Sequence, residues 1–300
     1  MKQLRFILAA LLFSCETTVD PRLPENGSGV VIYSFFRPGS PLTIHAFNTV
    51  PILDAETIQR NSALRIRLSE NGQFMEDVTA NAQGIYISTI VPAENNTYSF
   101  ETIAGSTPLS STSFIPPQVG ISNAELSKTL QYTNTGEYGY PAQITLTDPE
   151  ESANFYSLEV LVENCTGECA AETLTGKLNE LLVEELKVNT SGNVDVEIGG
   201  PQQVQGVKYI AFNDNSFNGH SVTLKFFIIP AFVDFQKPQN IKFVLKSITQ
   251  EYYNYLRTSD FQQELEEREN VSEPVQIATN IRNGLGTFSG YNYSLYTVKH

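Results

Sequence analysis

The stretch Ala63-Leu64-Arg65-Ile66-Arg67-Leu68 decides the fold class, because apolar and polar residues alternate along it with a period of two. Successive side chains of a β-strand point to opposite faces, so this pattern buries the aliphatic residues and exposes the arginines. A turn follows at Glu70-Asn71-Gly72. We therefore predict a strand with one buried face, ending in a tight turn.

Similar strand-like segments lie on both sides of this stretch, with Pro-Gly, Asn-Gly and Asp-Pro turns among them. They cover residues 30–36, 84–88, 97–103, 143–147, 156–162, 207–212, 222–230 and 241–248. Many short strands at this spacing are typical of a β-sandwich. Residues 174–187 have helix-forming composition but poor helical spacing, so their structure stays open.

One segment, residues 249–267, is predicted to be helical, with Tyr252, Leu256, Phe261 and Leu265 near one face. We interpret its tyrosines as packing residues, with a glycan-stacking platform as the alternative. The pair Pro116-Pro117 stiffens the chain and ends strand pairing. The sequence therefore predicts a mainly β protein, with two β-sandwiches joined at this point. An immunoglobulin- or transthyretin-like β-sandwich is expected over 30–115, and a larger β-sandwich carrying the helix over 116–300.

The N-terminus is typical of a bacterial lipoprotein signal. Lys2 and Arg5 precede a short apolar run, which is far below the roughly 20 residues needed to span a bilayer. The run ends in Leu12-Phe13-Ser14-Cys15, which resembles a lipobox. We predict a signal peptide over 1–14, acyl chains such as palmitate on Cys15, and a flexible tether over 15–29 rich in Pro, Gly and small polar residues.

Composition limits the partners of the chain. Its 300 residues suggest two domains, and its formal net charge is −14, which becomes −16 once Lys2 and Arg5 are removed. Such a surface repels phosphate backbones, so no nucleic-acid partner is expected.

Cys165 and Cys169 are predicted to close a small disulfide loop, with free thiols or a metal site as alternatives. Two thiols without a nearby histidine do not complete a zinc site, so neither metal nor cofactor is expected.

Catalytic motifs are absent from the sequence, which predicts that the protein is not an enzyme. His45 lies in a strand-like run, His220 follows a turn, and His300 is the last residue. Asp148 and Asp214 are predicted to cap turns, with Ca²⁺ ligation as the alternative.

Several short motifs, in this order, carry a resemblance to a known family. They are the lipobox cysteine, Val30 to Phe36, Gly84-Ile85-Tyr86, Asp148-Pro149, Asn154-Phe155-Tyr156, Phe212-Asn213-Asp214, Phe217-Asn218-Gly219, Tyr252-Tyr253-Asn254-Tyr255 and the stretch from Pro274 through Asn283-Gly284-Leu285-Gly286 to Phe288. The chain resembles the Bacteroidota outer-membrane lipoproteins grouped as domain of unknown function 4249. Asn283-Gly284-Leu285-Gly286 is interpreted as a tight turn whose glycines supply positive φ before a last strand from Thr287, with an anion-cradling loop as the alternative.

The resemblance implies a place in the cell envelope, since such proteins are often encoded beside SusC-like TonB-dependent transporters. We expect a non-catalytic lipoprotein of the outer membrane, on either face, held by Cys15 and accessory to such a transporter in nutrient uptake or presentation. The alternative is a glycan-binding or adhesive surface module that works without a transporter.

Overall fold

The computed structural model describes residues 29–50, 59–133, 136–150, 152–164, 174–188, 207–267 and 276–299. This part of the chain forms seventeen strands and one helix. The strands are β1 Val30–Phe36, β2 Thr43–Asn48, β3 Arg65–Glu70, β4 Gln73–Thr79, β5 Ile85–Ile87, β6 Thr97–Ala104, β7 Thr107–Phe114, β8 Ile121–Leu126, β9 Gln131–Tyr132, β10 Tyr138–Thr147, β11 Phe155–Asn164, β12 Lys177–Leu178, β13 Leu181–Val188, β14 Ile210–Asn213, β15 Ser221–Ile228, β16 Gln239–Ile248 and β17 Leu285–Lys299. The helix α1 is Gln250–Glu267.

The described strands form three sheets. The largest has the order β12-β11-β16-β17-β1-β2-β5, with β14 also pairing with β11. A five-stranded sheet, β13-β15-β10-β8 with β9 on β10, packs against one half of it, and a four-stranded sheet, β4-β3-β6-β7, packs against the other half. Each facing pair encloses its own apolar core, so the predicted mainly β architecture of two β-sandwiches and one helix is confirmed.

Strand β17 belongs to both sandwiches. Its first part pairs in parallel with β1, from Val31↔Leu285 to Phe36↔Gly290, and its remainder pairs antiparallel with β16. Phe288 lies in the first core, whereas Val298 packs against the second. The first sandwich is therefore completed by residues from the end of the chain, within the range 116–300 that was expected to form the second.

Close backbone contacts fix β17 where it passes from one sandwich to the other. A Cβ on Gly286 would lie 2.1 Å from the carbonyl oxygen of Ile32, and one on Gly290 would lie 2.1 Å from that of Phe114. Positive φ occurs at Asn283 in the preceding turn and at Gly286 within β17, whereas the prediction of positive φ is wrong for Gly284, which is crowded by neighbouring atoms. The strand begins at Leu285, two residues earlier than predicted, because parallel pairing with β1 extends it.

Helix α1 covers part of the outer face of the large sheet. Tyr252, Tyr253 and Leu256 pack against Ile248 and its neighbours. Phe261 is exposed, so its predicted place on the packing face is wrong. It lies five residues beyond Leu256, a rotation of about 140° past one full turn, which carries it off the buried stripe.

Residues 174–187, left open by the sequence, form β12 and β13 rather than a helix. Among the described residues, no helix is both long enough and apolar enough to cross a membrane.

Candidate functional site

The residues predicted to be covalently modified, Cys15, Cys165 and Cys169, lie outside the described residues, as do His300 and residues 15–28 of the predicted tether. Lipidation and the disulfide therefore stay predictions.

Four of the motifs that are separate in the sequence meet in one hydrogen-bonded group, here named the Asp148 junction. It consists of Asp148, Asn154, Tyr156, Asp214 and Gly219. Pairing of β11 with β14 places Tyr156 opposite Phe212, and pairing of β10 with β15 places Thr147 opposite Ser221. These two strand registers bring the four motifs to the same place in the structure.

Both carboxylates of the junction accept structural hydrogen bonds. The Tyr156 hydroxyl donates to one oxygen of Asp148, and the Gly219 N–H donates to the other at 3.0 Å. The Asn154 N–H donates to Asp214 at 2.9 Å. These bonds support the turn-capping interpretation of both acids over Ca²⁺ ligation. In the part of the chain that the structure describes, no group of three His, Cys, Asp or Glu residues could hold a metal.

Burial sets the electrostatics of the junction. Asp148 and Asp214 are only 3% and 2% exposed. Burial raises the pKa of Asp148, and the nearby charge of Asp214 raises it further against the lowering effect of the Tyr156 bond. Burial likewise raises the pKa of Asp214. The pKa of Tyr156 is also raised, first by burial and then by its hydrogen bond to Asp148. The junction therefore holds two acids for which the ionised form is disfavoured.

Of the histidines in the described part, His45 lies apart from this junction, whereas the His220 main chain adjoins it, because its carbonyl oxygen accepts a hydrogen bond from the Asp148 N–H at 3.1 Å. His45 is a half-buried residue of β2 whose Nδ1 lies 3.0 Å from Nη1 of Arg60. Burial lowers the pKa of His45, and the charge of Arg60 adds to that effect. Nδ1 of His220 lies 2.7 Å from the Asn218 carbonyl oxygen in a turn.

A second feature is an apolar surface on the outer side of the large sheet, here named the aromatic face. It is formed by the outward side chains of β1, β2 and β5, which are Val31, Tyr33, Phe35, Thr43, His45, Phe47, Ile85 and Ile87. Strand pairing sets Val31 beside Phe47 and Tyr33 beside His45. Phe35 and Ile87 are 39% and 50% exposed, so apolar side chains reach solvent here.

Aromatic and cationic groups border the aromatic face. Tyr252 of helix α1 packs on Phe35, with ring centroids 4.6 Å apart, and Tyr255 packs on Tyr33 at 6.1 Å. The Arg60 guanidinium lies 5.2 Å from the centroid of Phe47. Sequence reasoning missed this surface. Its signal was the apolar composition of β1, in which Ser34 is the one small polar residue and both faces of the strand carry apolar side chains.

A third feature is an exposed tyrosine pair on the hairpin of β9 and β10. Tyr132 and Tyr138 have ring centroids 3.9 Å apart and planes inclined by 37°. Both rings are largely exposed.

Comparison with family models gives one match, described as Domain of unknown function (DUF4249), over residues 16–297. The chain belongs to this family. The match runs through both sandwiches of the DUF4249 protein and begins directly after Cys15. No curated protein matches it.

Solved structures give only distant similarities to the DUF4249 protein. A protein of Corynebacterium diphtheriae described as membrane anchored is 12% identical, with 86% of this chain and 59% of that one covered and a TM-score of 0.22. The major pilin SpaD of the same organism is 10% identical, with 91% and 65% covered and a TM-score of 0.24. The yeast delta-COP-I mu-homology domain is 11% identical, with 91% and 97% covered and a TM-score of 0.20. The chain spans about three fifths of the length of the first of these.

Proposed function

We propose that this DUF4249 protein is a non-catalytic lipoprotein of the outer membrane, anchored through Cys15 and accessory to a SusC-like TonB-dependent transporter. The observation that carries the proposal is the position of the family match, which starts at residue 16, one residue after the predicted lipidation site. The lipobox thus directly precedes the family domain, as in a protein whose folded body is held by its acylated N-terminus.

The shape of the body supports a role in presentation. β1 begins at Val30, close to the predicted anchor, and the start of β17 lies beside it. β17 then runs for fifteen residues, or about 50 Å at the rise of a strand, to Lys299. The far end of the second sandwich is therefore held away from the point where the chain enters the body. A rigid body of this length suits a protein that offers a distal surface to a partner or nutrient.

The Asp148 junction supports a non-catalytic role. Its acids are buried and bonded to main-chain N–H groups and to a tyrosine, so they hold turns together rather than face a cleft.

The test is isolation of the protein from its native outer membrane in mild detergent, with Cys15→Ala as the control. We expect a TonB-dependent transporter in stoichiometric amount with the wild type, detected by mass spectrometry, and its loss with the variant. Recovery of the anchored wild-type protein alone would refute the accessory role.

The exposed tyrosine pair favours a second candidate function, glycan binding at the surface without a transporter. Aromatic rings close together and open to solvent can stack on sugar rings. A glycan array tests this function with Tyr132→Ala, and Phe232→Ala serves as a matched control because Phe232 is an exposed ring outside the pair. Glycan binding predicts a signal that Tyr132→Ala abolishes and Phe232→Ala retains. The absence of any signal from the wild type would refute it.

A further inference from the structure

We propose that the aromatic face is a membrane-contacting surface, which lies against the lipid headgroups of the bilayer that holds the Cys15 anchor. This inference rests on the anchoring part of the proposed function and is independent of the transporter. It assigns an orientation to the body and a lipid ligand to a surface that helix α1 covers only in part.

The composition of the aromatic face is unlike that of a solvated sheet. Outward positions of a sandwich are normally polar. The outer face of the four-stranded sheet is mixed, since Arg65, Arg67 and Asp77 lie on it beside the exposed Phe74, Ile103 and Phe114. The eight outward positions of β1, β2 and β5 include six apolar or aromatic residues and no acid, in a chain with a net charge of −14.

The aromatic face also lies where the anchor enters the body. Gly29 is fixed by hydrogen bonds with Thr49 at the start of β1, and Val31, two residues on, is the first residue of the face. Thirteen residues separate Cys15 from Gly29, and a chain of that length spans at most about 45 Å. The face is about 13 Å long from Val31 to Phe35, so all of it lies within reach of the bilayer.

The chemistry of the face and its border matches a headgroup region. Tyrosine and phenylalanine side chains suit the boundary between acyl chains and water, where tyrosine is enriched in membrane proteins. Arg60 lies over Phe47 at one side, and Arg37 follows the end of β1 and lies over the ring of Tyr293. Arginine binds phosphate oxygens through paired N–H groups, so both border cations can contact lipid phosphates.

The ring geometry argues against an extended glycan on the aromatic face. The plane of Tyr33 is inclined by 62° to that of Phe47 and by 69° to that of Tyr255. Rings inclined in this way pack edge to face and do not offer one flat platform to successive sugars.

The chain contains no tryptophan, which allows a direct test with single tryptophan probes. Phe35→Trp places a probe on the aromatic face. Phe114→Trp is the matched control, because Phe114 is 44% exposed against 39% for Phe35 and lies on the outward side of the four-stranded sheet. Ile87→Trp is a second, independent probe of the face. Circular dichroism and thermal unfolding establish that each variant is folded.

The lipidated full-length variants are reconstituted into vesicles of phosphatidylethanolamine and phosphatidylglycerol containing brominated phosphatidylcholine. Bromine quenches only tryptophans at the depth of the lipid. We expect quenching of Phe35→Trp and Ile87→Trp to be several-fold stronger than that of Phe114→Trp, with emission shifted to the blue.

The outcomes separate this inference from the proposed function. Protein that floats with the vesicles but shows equal quenching at all three sites would overturn the membrane-contacting face and leave the anchor intact. Protein that does not float would overturn the anchor, and the orientation with it. If the tryptophan emission of Phe35→Trp shifts only when a transporter is added, the aromatic face binds a protein partner, and the lipid contact is overturned.

Discussion

At the scale of single residues, the Asp148 junction is the point at which local chemistry holds distant parts of the chain together. Asp148 directly follows β10, Asn154 directly precedes β11, Tyr156 is the second residue of β11, and Asp214 directly follows β14. If one partner of a buried hydrogen bond to a carboxylate is removed, the other partner stays buried without a hydrogen bond. The free energy of unfolding then falls, because the desolvation of that group is no longer offset.

Tyr156→Phe tests this bond with the smallest possible change. We expect the free energy of unfolding to fall by about 1–3 kcal/mol, because Asp148 loses its hydroxyl donor while the ring stays packed. Chemical denaturation measures the difference. Tyr132→Phe is the control, because its ring is exposed, and it should change stability by less than about 0.5 kcal/mol. Equal effects of the two changes would contradict the structural role of the junction.

Asp214→Asn tests the electrostatics of the same junction. Since burial raises the folded-state pKa of Asp214, the folded protein binds this proton more tightly than the unfolded chain does. The wild type therefore loses stability relative to the neutral variant as pH rises from the ordinary value of 3.8 through the raised pKa. Denaturation of both proteins across this range should show that the loss of unfolding free energy caused by Asp214→Asn becomes smaller as pH rises. A loss that becomes larger with pH would show that folding lowers the pKa of Asp214.

At the scale of elements, β17 shows which parts of the fold a sequence can predict. The alternation at Arg65 to Leu68 is local, and it correctly predicts a strand with Ile66 and Leu68 buried. The pairing of Leu285 with Val31 joins residues 254 positions apart, and no local pattern encodes it. Residues 181–188 form a strand because they pair with β15, which overrides their helix-forming composition.

Gly290→Ala tests the crossing of β17 between the sandwiches. Gly290 has no positive φ, so only space opposes a side chain, and the added Cβ would meet the Phe114 carbonyl oxygen at 2.1 Å. The Phe114 backbone and the buried Phe36 ring leave little room to relax, and we expect the free energy of unfolding to fall by about 3 kcal/mol or more. Gly120→Ala, with nothing within 4 Å, should be almost neutral. Thermal unfolding of the two variants compares them, and similar stabilities would show that β17 does not pass this close to β7.

At the scale of the whole molecule, one sheet passes through both sandwiches, and this links their stabilities. Phe288 and Val298 lie on the same strand but in contact with different cores. All four motifs that form the Asp148 junction were recognised through the family resemblance. That they meet in space depends on the registers of strand pairing, which cannot be predicted from the sequence pattern alone. The aromatic face was missed for a similar reason, because an apolar run such as β1 does not tell which of its faces will be covered.

Shared use of β17 predicts that the two sandwiches unfold together. We expect Phe114→Trp in the first sandwich and Phe232→Trp in the second to report the same denaturant midpoint, within error, by fluorescence. Each probe replaces an exposed ring, so the perturbation is small. Two separate midpoints would show that the sandwiches are independent units joined only by a linker.

The late position of β17 in the sequence also affects folding. The residues of β1 to β7 are made early, but the core of the first sandwich lacks Phe288, and β1 lacks its parallel partner, until β17 has been synthesised. Domains generally fold as units during synthesis, beginning with the N-terminal one, yet here the earliest segment must wait for the latest. In a chain with this dependence, the first sandwich becomes complete only once β17 is present, so a chain interrupted before Leu285 would lack both the parallel partner of β1 and a central ring of the first core.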